Sequence, residues 1–279
     1  MITGRTTLYG VIGHPVAHSR SPQMQNLAFR RLGIDAAYVA LPVAPEGLED
    51  ALRGAHALGM RGLNVTVPHK QRALRLCASA DEVSRRVGAV NTLRRTPEGW
   101  EGFNTDALAA RTLLHEAGVG AGTRALLLGA GGAARAAAWA LLELGADLRV
   151  MARREEAAAE LIDGLGVRGA DRSPRFVRFD VLEAESREAD VILNGTTVGL
   201  HGHDESFPGL AFRAGQLAVD FVYGETAFVA AAEDGGARLV RGEAMLVRQG
   251  ALAFTLWTGY PAPEAEMAAA VSAAAGGAR

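Results

Sequence analysis

The chain has 279 residues, a length that suggests about two domains, and its 29 lysines and arginines against 31 acidic residues give a formal net charge of −2. This balance offers no electrostatic reason to bind nucleic acid or an anionic membrane, the single cysteine excludes an intramolecular disulfide, and no apolar run reaches the roughly 18 residues of a spanning helix. Because the first residues also lack the apolar core of a signal peptide, we expect a cytoplasmic enzyme with no nucleic-acid or membrane partner.

The first hundred residues alternate short β-rich runs with longer segments rich in alanine and leucine, a pattern typical of an α/β fold with a parallel sheet. The β-rich runs predict strands at 7–12, 37–41, 62–67 and 89–94. The longer segments predict helices at 22–32, 46–58, 69–76 and 105–118, the last of them after a domain boundary near residue 103.

A second set of elements begins abruptly at Thr123. Buried strands are predicted at 124–129, 147–151, 191–194 and 217–221, and a helix over 133–144 follows the first of them. The last helical stretch, 244–258, carries more apolar side chains than a free tail would, so we expect it to pack against another part of the chain.

A glycine-rich turn joins the first of these strands to its helix. The turn satisfies the pattern Gly-x-Gly-x-x-Gly/Ala with Gly129, Gly131 and Ala134. In this pattern the first glycine permits a tight turn, the second lets the backbone approach a pyrophosphate, and the helix N-terminus offers N–H groups and a favourable dipole. The strand–turn–helix context favours a dinucleotide site over a plain glycine-rich turn.

The end of the next strand indicates which dinucleotide is bound. An NAD site usually ends this strand with an acid that takes the ribose 2′-hydroxyl, whereas here Ala152 leads into Arg153 and Arg154. Guanidinium groups can bind a 2′-phosphate with two hydrogen bonds. NADP is therefore favoured over NAD, the alternative being two solvent-facing arginines before an amphipathic helix.

Polar side chains stand at the ends of predicted elements in the first half, where catalytic groups tend to lie. Ser19 and Ser21 precede a helix whose first turn can hold Pro22, so either one serine caps the helix or the pair binds a carboxylate. Their spacing leaves both interpretations open. Lys70 follows a strand that ends in proline, although a lone lysine is most often a solvated surface charge.

Ordered segments along almost the whole chain resemble shikimate dehydrogenases. The most specific are Asn64-Val-Thr-Val-Pro-His-Lys70, Gly88-Ala-Val-Asn-Thr92 and Asn104-Thr-Asp106, and further ones are Asn194-Gly-Thr196, Val222-Tyr223 and Gly242-x-x-Met245-x-x-x-Gln249. The resemblance implies two domains: an N-terminal α/β substrate domain and a Rossmann-type, doubly wound NADP-binding domain, with the C-terminal helices packing back on the substrate domain. We expect the substrate domain to comprise 1–103 plus 240–279 and the NADP-binding domain to comprise 104–239.

The resemblance also implies roles for single residues. Lys70 and Asp106 would form the catalytic pair, and Ser19 and Ser21 would bind the substrate carboxylate. The substrate hydroxyls would be held by Thr66, Asn91, Asp106 and Gln249, with Tyr223 nearby. The cofactor pyrophosphate would lie on Gly129, Ala130, Gly131, Gly132 and Ala133, the adenosine phosphate on Ala152, Arg153 and Arg154, and the nicotinamide end beside Phe221 and Gly242.

Three segments depart from the family pattern. Gln25 stands where the family often has histidine before Asn26, and Ala152 stands where it has asparagine before the arginine. The segment from Tyr223 to Thr226 is two residues shorter than the usual Tyr-x-Pro-x-x-Thr. None of the three involves Lys70 or Asp106.

The reaction implied by the resemblance is reversible hydride transfer between NADPH and the C3 carbonyl of 3-dehydroshikimate, giving shikimate for chorismate and aromatic amino acid biosynthesis. Lys70 would donate the proton, and Asp106 would position the Lys70 ammonium group. No metal is required for this chemistry. His201 and His203 are interpreted as loop residues rather than metal ligands. The expected partner is the small-molecule substrate, and the expected assembly is a monomer or homodimer.

Three alternatives compete with this interpretation. The first is a broader quinate/shikimate dehydrogenase that uses NAD, which the arginines at 153 and 154 disfavour. The second is a catalytically silent protein that senses shikimate. Such a protein could lose Lys70 or Asp106 without penalty, but this chain retains both. The third is another two-domain NADP enzyme, such as a methylenetetrahydrofolate dehydrogenase, for which the pair Ser19 and Ser21 has no purpose.

Overall fold

The computed structural model describes residues 2–166, 174–200 and 207–276, and the chain forms two compact units. The first unit comprises Met1–Thr105 with Leu246–Arg279, and the second unit comprises Asp106–Met245. These breaks lie close to residues 103 and 240, where the sequence suggested a division.

The helices and strands follow one another in regular alternation along most of the chain. Up to residue 116 they are β1 (Thr7–Gly13), α1 (Ser21–Arg31), β2 (Ala36–Pro42), α2 (Leu48–Ala57), β3 (Gly62–Val65), α3 (Lys70–Leu76), β4 (Ser79–Ala80), α4 (Glu82–Val87), β5 (Thr92–Thr96), β6 (Gly99–Phe103) and α5 (Thr105–Glu116). They continue as β7 (Arg124–Leu128), α6 (Gly132–Glu143), β8 (Asp147–Met151), α7 (Glu155–Gly164), β9 (Arg175–Val177), α8 (Leu182–Glu188), β10 (Val191–Asn194), β11 (Leu217–Asp220), α9 (Ala227–Asp234), β12 (Arg238–Val240), α10 (Gly242–Thr258) and α11 (Glu264–Gly276).

The first unit is built on a mixed sheet whose described strands have the order β2-β1-β3-β5-β6-β4. Strand β1 pairs in parallel with β2 and β3, but β5 is antiparallel to both β3 and β6. The expectation of a parallel sheet is therefore wrong for β5, whereas the other described strands run in one direction, since β4 also pairs in parallel with β6. The reason is the short connection between β5 and β6, which ends one strand at Thr96 and begins the next at Gly99; a connection of this length can join only antiparallel neighbours.

Two apolar clusters cover opposite faces of this sheet. Because side chains alternate along a strand, β1 contributes Tyr9 and Val11 to one cluster and Ile12 to the other. The first cluster also holds Phe29 of α1 and Phe254 of α10, whose ring centroids lie 5.3 Å apart. Full burial of such a side chain contributes about 1.5–3 kcal/mol. The expectation that the C-terminal helices pack against the N-terminal elements is thus confirmed.

The second unit contains a parallel sheet whose described strands have the order β12-β11-β10-β7-β8-β9. This order is that of a Rossmann fold and confirms the expected doubly wound domain. Strands β8 and β9 are added on one side of β7, whereas β10, β11 and β12 are added on the other side, so the strand order reverses between β7 and β10. Open α/β sheets bind ligands at such a switch point, beyond the carboxyl ends of the strands. The glycine turn after β7 and Asn194 at the end of β10 both lie there.

Several elements differ from their sequence predictions. The strand predicted at 89–94 is wrong at its start, because Gly88 ends α4 in the left-handed conformation (φ 73°) and β5 begins only at Thr92. Strand β6 was not predicted, since it contains two glycines and lacks an apolar run. No helix in the described ranges is long and apolar enough to cross a membrane.

Candidate active site

The loop between β1 and α1 carries Ser19 and leads into Ser21, the first residue of α1. Arg20 occupies the N-cap position of α1 and makes no side-chain cap hydrogen bond. The Ser19 hydroxyl accepts a hydrogen bond from the Ser21 N–H at 3.3 Å, one position before the cap, and Ser21 is 7% exposed. Neither serine therefore occupies the N-cap position, and the Ser19 hydroxyl accepts one N–H of the first helical turn. An anion at this helix N-terminus would meet two hydroxyls and the positive end of the helix dipole, while the Ser21 N–H already donates to Ser19 and Pro22 has no N–H.

The segment after β3 runs beside the loop after β1. The N–H of Thr66 donates to the carbonyl of Ile12 at 2.9 Å, and the N–H of His14 donates to the carbonyl of Val67 at 2.9 Å. A Cβ on Gly13 would clash with the Thr66 side chain, so the close approach of the two loops requires glycine there. This pairing sets the position of Thr66 relative to the loop that carries the serines.

Lys70 is the first residue of α3 and is held from two sides. Its carbonyl accepts from the N–H of Val90 at 3.1 Å, which ties the start of α3 to the segment before β5. The preceding residue, His69, is 1% exposed, and its Nε2 lies 2.7 Å from the carbonyl of Val43. Burial lowers the pKa of His69, so the ring stays neutral at pH 7. His69 thus anchors the helix that begins at Lys70.

A chain of buried polar side chains crosses the first unit from α1 toward β5. The Tyr38 hydroxyl donates to Asn64 Oδ1 at 2.6 Å, and Asn64 Nδ2 donates to the Asn91 carbonyl at 3.2 Å and to Thr92 Oγ1 at 3.0 Å. Burial raises the pKa of Tyr38, and its hydrogen bond with the Ser21 side chain lowers it, so the phenol remains a donor at neutral pH. These bonds place Ser21 at one end of the chain.

Asn91 continues the chain to α5 and α10. Its Oδ1 accepts from the Thr105 N–H at 2.7 Å, and its Nδ2 donates to Thr105 Oγ1 at 2.9 Å and to Gln249 Oε1 at 3.4 Å. Gln249 Nε2 in turn donates to the carbonyl of Leu246 in its own helix at 2.8 Å. The first unit therefore brings Ser21, Asn91 and Gln249 into one hydrogen-bonded network.

Four members of this network were not among the predicted site residues: Tyr38, Asn64, Thr92 and Thr105. Asn64 stood inside the most specific family segment, and an asparagine between Leu63 and Val65 in a predicted apolar strand was the signal that could have singled it out. Tyr38 offered none, because a tyrosine in an apolar strand is typical of a core position.

Asp106 and Tyr223 belong to the second unit. Asp106 is the second residue of α5 and is 9% exposed. Its carboxyl group therefore lies in the first turn of a helix and is almost wholly buried.

The turn after β7 has the glycines that its shape requires. Gly129 has φ 110°, and a Cβ there would lie 2.9 Å from Thr196 Cγ2. A Cβ on Gly195 would lie 2.9 Å from the Cα of Ala134. Glycine is therefore needed at both positions, and the small Ala134 lets the helix start close to the end of β10.

The start of α6 fits an anion. Gly131 is its N-cap residue and makes no side-chain cap hydrogen bond, and a Cβ on Gly131 would meet no protein atom within 4 Å. The N–H groups that open a helix lack partners within it, and those of the first turn here belong to Gly132 and Ala133. The open backbone suits the close approach of a pyrophosphate.

The end of β8 carries cations and no acid. Ala152 is 9% exposed, whereas Arg153 and Arg154 are exposed, and Arg154 is the N-cap residue of α7. Two guanidinium groups at the edge of the sheet beside the glycine turn fit a phosphate on the adenosine ribose better than a free 2′-hydroxyl.

The segment after β11 contains Phe221 and Tyr223. The N–H of Phe221 donates to the carbonyl of Asn194 at 3.1 Å, which joins it to the end of β10. A Cβ on Gly242 would approach the Tyr223 backbone nitrogen to 2.7 Å, so Gly242 lies directly against this segment. The second unit thus assembles the residues predicted for the nicotinamide end.

No group of three histidine, cysteine or acidic side chains able to hold a metal ion is found within residues 2–166, 174–200 and 207–276. His201 and His203, interpreted from sequence as loop residues, lie outside the described residues.

Comparison with known proteins identifies the family. Residues 11–93 match the family model of the shikimate dehydrogenase substrate binding domain, and residues 242–271 match that of the shikimate 5′-dehydrogenase C-terminal domain. The shikimate dehydrogenase (NADP(+)) of Anaeromyxobacter dehalogenans strain 2CP-C is 67% identical over 278 residues, which cover 99% of each chain. The chain belongs to the shikimate dehydrogenase family.

Solved structures of family members agree with this assignment. The enzyme from Thermus thermophilus in complex with NADP(H) and shikimate is 36% identical, with a TM-score of 0.85 and coverage of 96% of this chain and 100% of that one. The enzyme from Aquifex aeolicus is 34% identical, with a TM-score of 0.87 and coverage of 97% and 99%. The chain is therefore similar to these relatives along nearly its whole length.

Proposed function

We propose that this chain catalyses the reversible NADPH-dependent reduction of 3-dehydroshikimate to shikimate, a step of chorismate and aromatic amino acid biosynthesis. The single observation that carries the proposal is its 67% identity, over 99% of both chains, to an NADP-dependent shikimate dehydrogenase. The first unit serves as the substrate domain and the second as the NADP-binding domain, in line with the divisions at 103 and 240 suggested by the sequence.

The substrate carboxylate is bound by Ser19 and Ser21 at the N-terminus of α1. The position of both hydroxyls at a helix N-terminus supports this role, since the positive end of the helix dipole favours an anion there. The hydroxyls are held by Thr66, Asn91, Asp106 and Gln249, with Tyr223 nearby. The network around Asn91 supports the assignment, because its hydrogen bonds fix the amide in one orientation before substrate binds.

The cofactor lies on the second unit. Gly129, Ala130, Gly131, Gly132 and Ala133 take the pyrophosphate, Ala152, Arg153 and Arg154 take the adenosine phosphate, and Phe221 and Gly242 line the nicotinamide end. The uncapped start of α6 and the exposed arginines fit these groups. When bound, NADPH supplies the hydride.

Lys70 and Asp106 carry the catalytic roles. As negative charge develops on the C3 oxygen, the Lys70 ammonium stabilises it and donates the proton that completes the alcohol. Asp106 orients the ammonium and accepts a hydrogen bond from a substrate hydroxyl. The anchoring of α3 through His69 and Val90 supports this role for Lys70, because a proton donor must be held at a set position.

Initial rates of nicotinamide reduction test the proposal in a two-by-two panel of shikimate or quinate with NADP⁺ or NAD⁺. We expect shikimate with NADP⁺ to exceed the other pairs by about a hundredfold, or about 3 kcal/mol of transition-state stabilisation. Equal rates with NAD⁺ or quinate would favour the broader quinate/shikimate dehydrogenase. Shikimate binding with no rate in any pair would favour a silent sensor.

The monomeric or homodimeric state and the cytoplasmic location stay predictions.

A further inference from the structure

The shortened loop, residues 221–226, connects β11 to α9 and carries Phe221 and Tyr223. It is two residues shorter than the family's Tyr-x-Pro-x-x-Thr segment and contains no proline, so it lacks the stiffness that proline gives a backbone. Gly224 within it has φ 101°, a conformation that side chains disfavour. Something other than proline must therefore hold this loop in one conformation.

The carboxylate of Asp220 fixes both ends of the shortened loop. Asp220 is fully buried at the end of β11. Its Oδ1 accepts from the Val222 N–H at 2.9 Å and from Asn194 Nδ2 at 3.0 Å, and its Oδ2 accepts from the Thr226 hydroxyl at 2.7 Å. Thr226 Oγ1 also accepts from the Val229 N–H at 3.1 Å as the cap of α9. One side chain thus joins β10, the loop and α9.

Glu243 fixes the middle of the same loop from another element. It lies in the first turn of α10, and its Oε1 accepts from the Gly224 N–H at 2.9 Å. The adjacent Gly242 has no space for a Cβ against the Val222 carbonyl and the Tyr223 nitrogen, so the start of α10 is pressed against the loop. The two carboxylates therefore accept hydrogen bonds from the N–H groups of Val222 and Gly224, the residues on either side of Tyr223 in the sequence.

Burial of the Asp220 carboxylate costs free energy, which its hydrogen bonds must offset. Burial raises the pKa of Asp220 to about 6, the charge of Glu243 raises it too, and the bonds from Thr226, Val222 and Asn194 lower it. An asparagine would avoid the cost of burying charge, but it has one acceptor oxygen in place of two. Only the carboxylate can accept from both ends of the loop at once.

We propose that Asp220 and Glu243 are positioning residues that together hold the shortened loop in one conformation and so orient Tyr223 for the reaction. This inference rests on the proposed function, which gives Tyr223 its place beside the substrate. Each carboxylate acts through backbone N–H groups next to Tyr223, and neither needs to contact substrate or cofactor.

The test compares Glu243→Ala, Glu243→Gln and Asp220→Asn in the full chain. Glu225→Gln is the matched control, because Glu225 lies in the same loop but its exposed carboxylate pairs with Arg241. The readouts are kcat and KM for shikimate, together with binding of adenosine 2′,5′-bisphosphate, which reports on the arginine end of the cofactor site but does not reach the loop.

We expect kcat/KM for shikimate to fall at least tenfold in Glu243→Ala and in Asp220→Asn, while bisphosphate binding stays within twofold of the parent. Glu243→Gln keeps an acceptor oxygen for Gly224 and should recover most of the rate, and Glu225→Gln should match the parent. A general loss of stability would instead weaken bisphosphate binding as well.

Rates within twofold of the parent in both Glu243→Ala and Asp220→Asn would overturn the inference. If Asp220→Asn fails to fold, the Glu243 pair decides alone: loss with alanine and recovery with glutamine supports it, and no loss with alanine overturns it. A parent that does not oxidise shikimate overturns the proposed function as well, whereas an active parent with unaffected variants overturns the positioning role only.

Discussion

The two units present their proposed ligand-binding groups in different ways. In the second unit the turn after β7 offers backbone N–H groups, and its close approach to the end of β10 requires glycine at Gly129 in the turn and at Gly195 after β10. In the first unit the proposed groups are side chains that hold one another, from Tyr38 through Asn64 to Asn91. Backbone recognition suits a phosphate, which is the same in every dinucleotide. A side-chain network suits a substrate whose hydroxyls must each be matched.

The largest effect that would sharpen this comparison is the loss of Lys70. We expect Lys70→Ala to lower kcat by about 10²–10⁴-fold, the usual contribution of a general acid, while shikimate affinity changes much less. The measurement is single-turnover kinetics together with calorimetric binding of shikimate. A large loss of affinity with near-normal turnover would show that Lys70 binds substrate and does not assist proton transfer.

The next effect concerns the arginines of the second unit. Replacing Arg153 and Arg154 together by alanine should lower kcat/KM for NADP⁺ by about 10–100-fold, since each can donate charge-assisted hydrogen bonds to a 2′-phosphate. The rate with NAD⁺ should stay within twofold. Arg178→Ala, an exposed arginine of the same unit paired with Asp180, is the control and should change neither rate. Equal losses with both cofactors would mean that the arginines do not read the 2′-phosphate.

A smaller effect tests the side-chain network of the first unit. In Tyr38→Phe the buried Asn64 Oδ1 loses its donor, which should cost about 1–3 kcal/mol of unfolding free energy and raise KM for shikimate severalfold. Tyr260→Phe is the matched control, because Tyr260 is 59% exposed. Urea denaturation and steady-state rates provide both readouts. An unchanged unfolding free energy and KM would show that the hydrogen bond contributes nothing to the network.

The smallest effect is a pH dependence of stability in the second unit. Burial raises the pKa of Asp220 to about 6 from 3.8, so the folded chain binds this proton more tightly than the unfolded chain. The unfolding free energy that Asp220 contributes therefore increases as the pH falls through 6 and is lost again as the pH rises. Between pH 7.5 and pH 5 the parent should gain about 1 kcal/mol relative to Asp220→Asn in urea denaturation. A constant difference across that range would contradict a raised pKa.

Four of the six described strands of the second unit, β7, β8, β10 and β11, could be predicted from sequence, because their signals are local. Strands β8 and β10 begin and end at the predicted residues, since each is a short buried run between clear turn signals. The glycine turn was likewise found from its spacing. Strand β6 of the first unit escaped prediction because it depends on partners elsewhere: it pairs with β5, and Trp100 Nε1 donates to the Leu52 carbonyl at 2.8 Å.

Only part of the candidate site could likewise be predicted from the sequence. Lys70, Asn91 and Asp106 stand in segments specific enough to reveal the family. The residues that orient them, such as Tyr38, Thr105 and His69, act through contacts between segments distant in sequence. Those contacts are set by how the strands pair, and no local pattern of residue types records them.

Hydrogen–deuterium exchange of the full chain tests most directly which unit binds the substrate and which binds the cofactor. Bound shikimate should slow exchange in segments of the first unit, at 64–70, 88–92 and around 249. Adenosine 2′,5′-bisphosphate should slow it in the second, at 129–134 and 152–156. Protection of 129–134 by shikimate alone, or of 64–70 by the bisphosphate alone, would contradict the assignment of substrate to the first unit and NADP to the second.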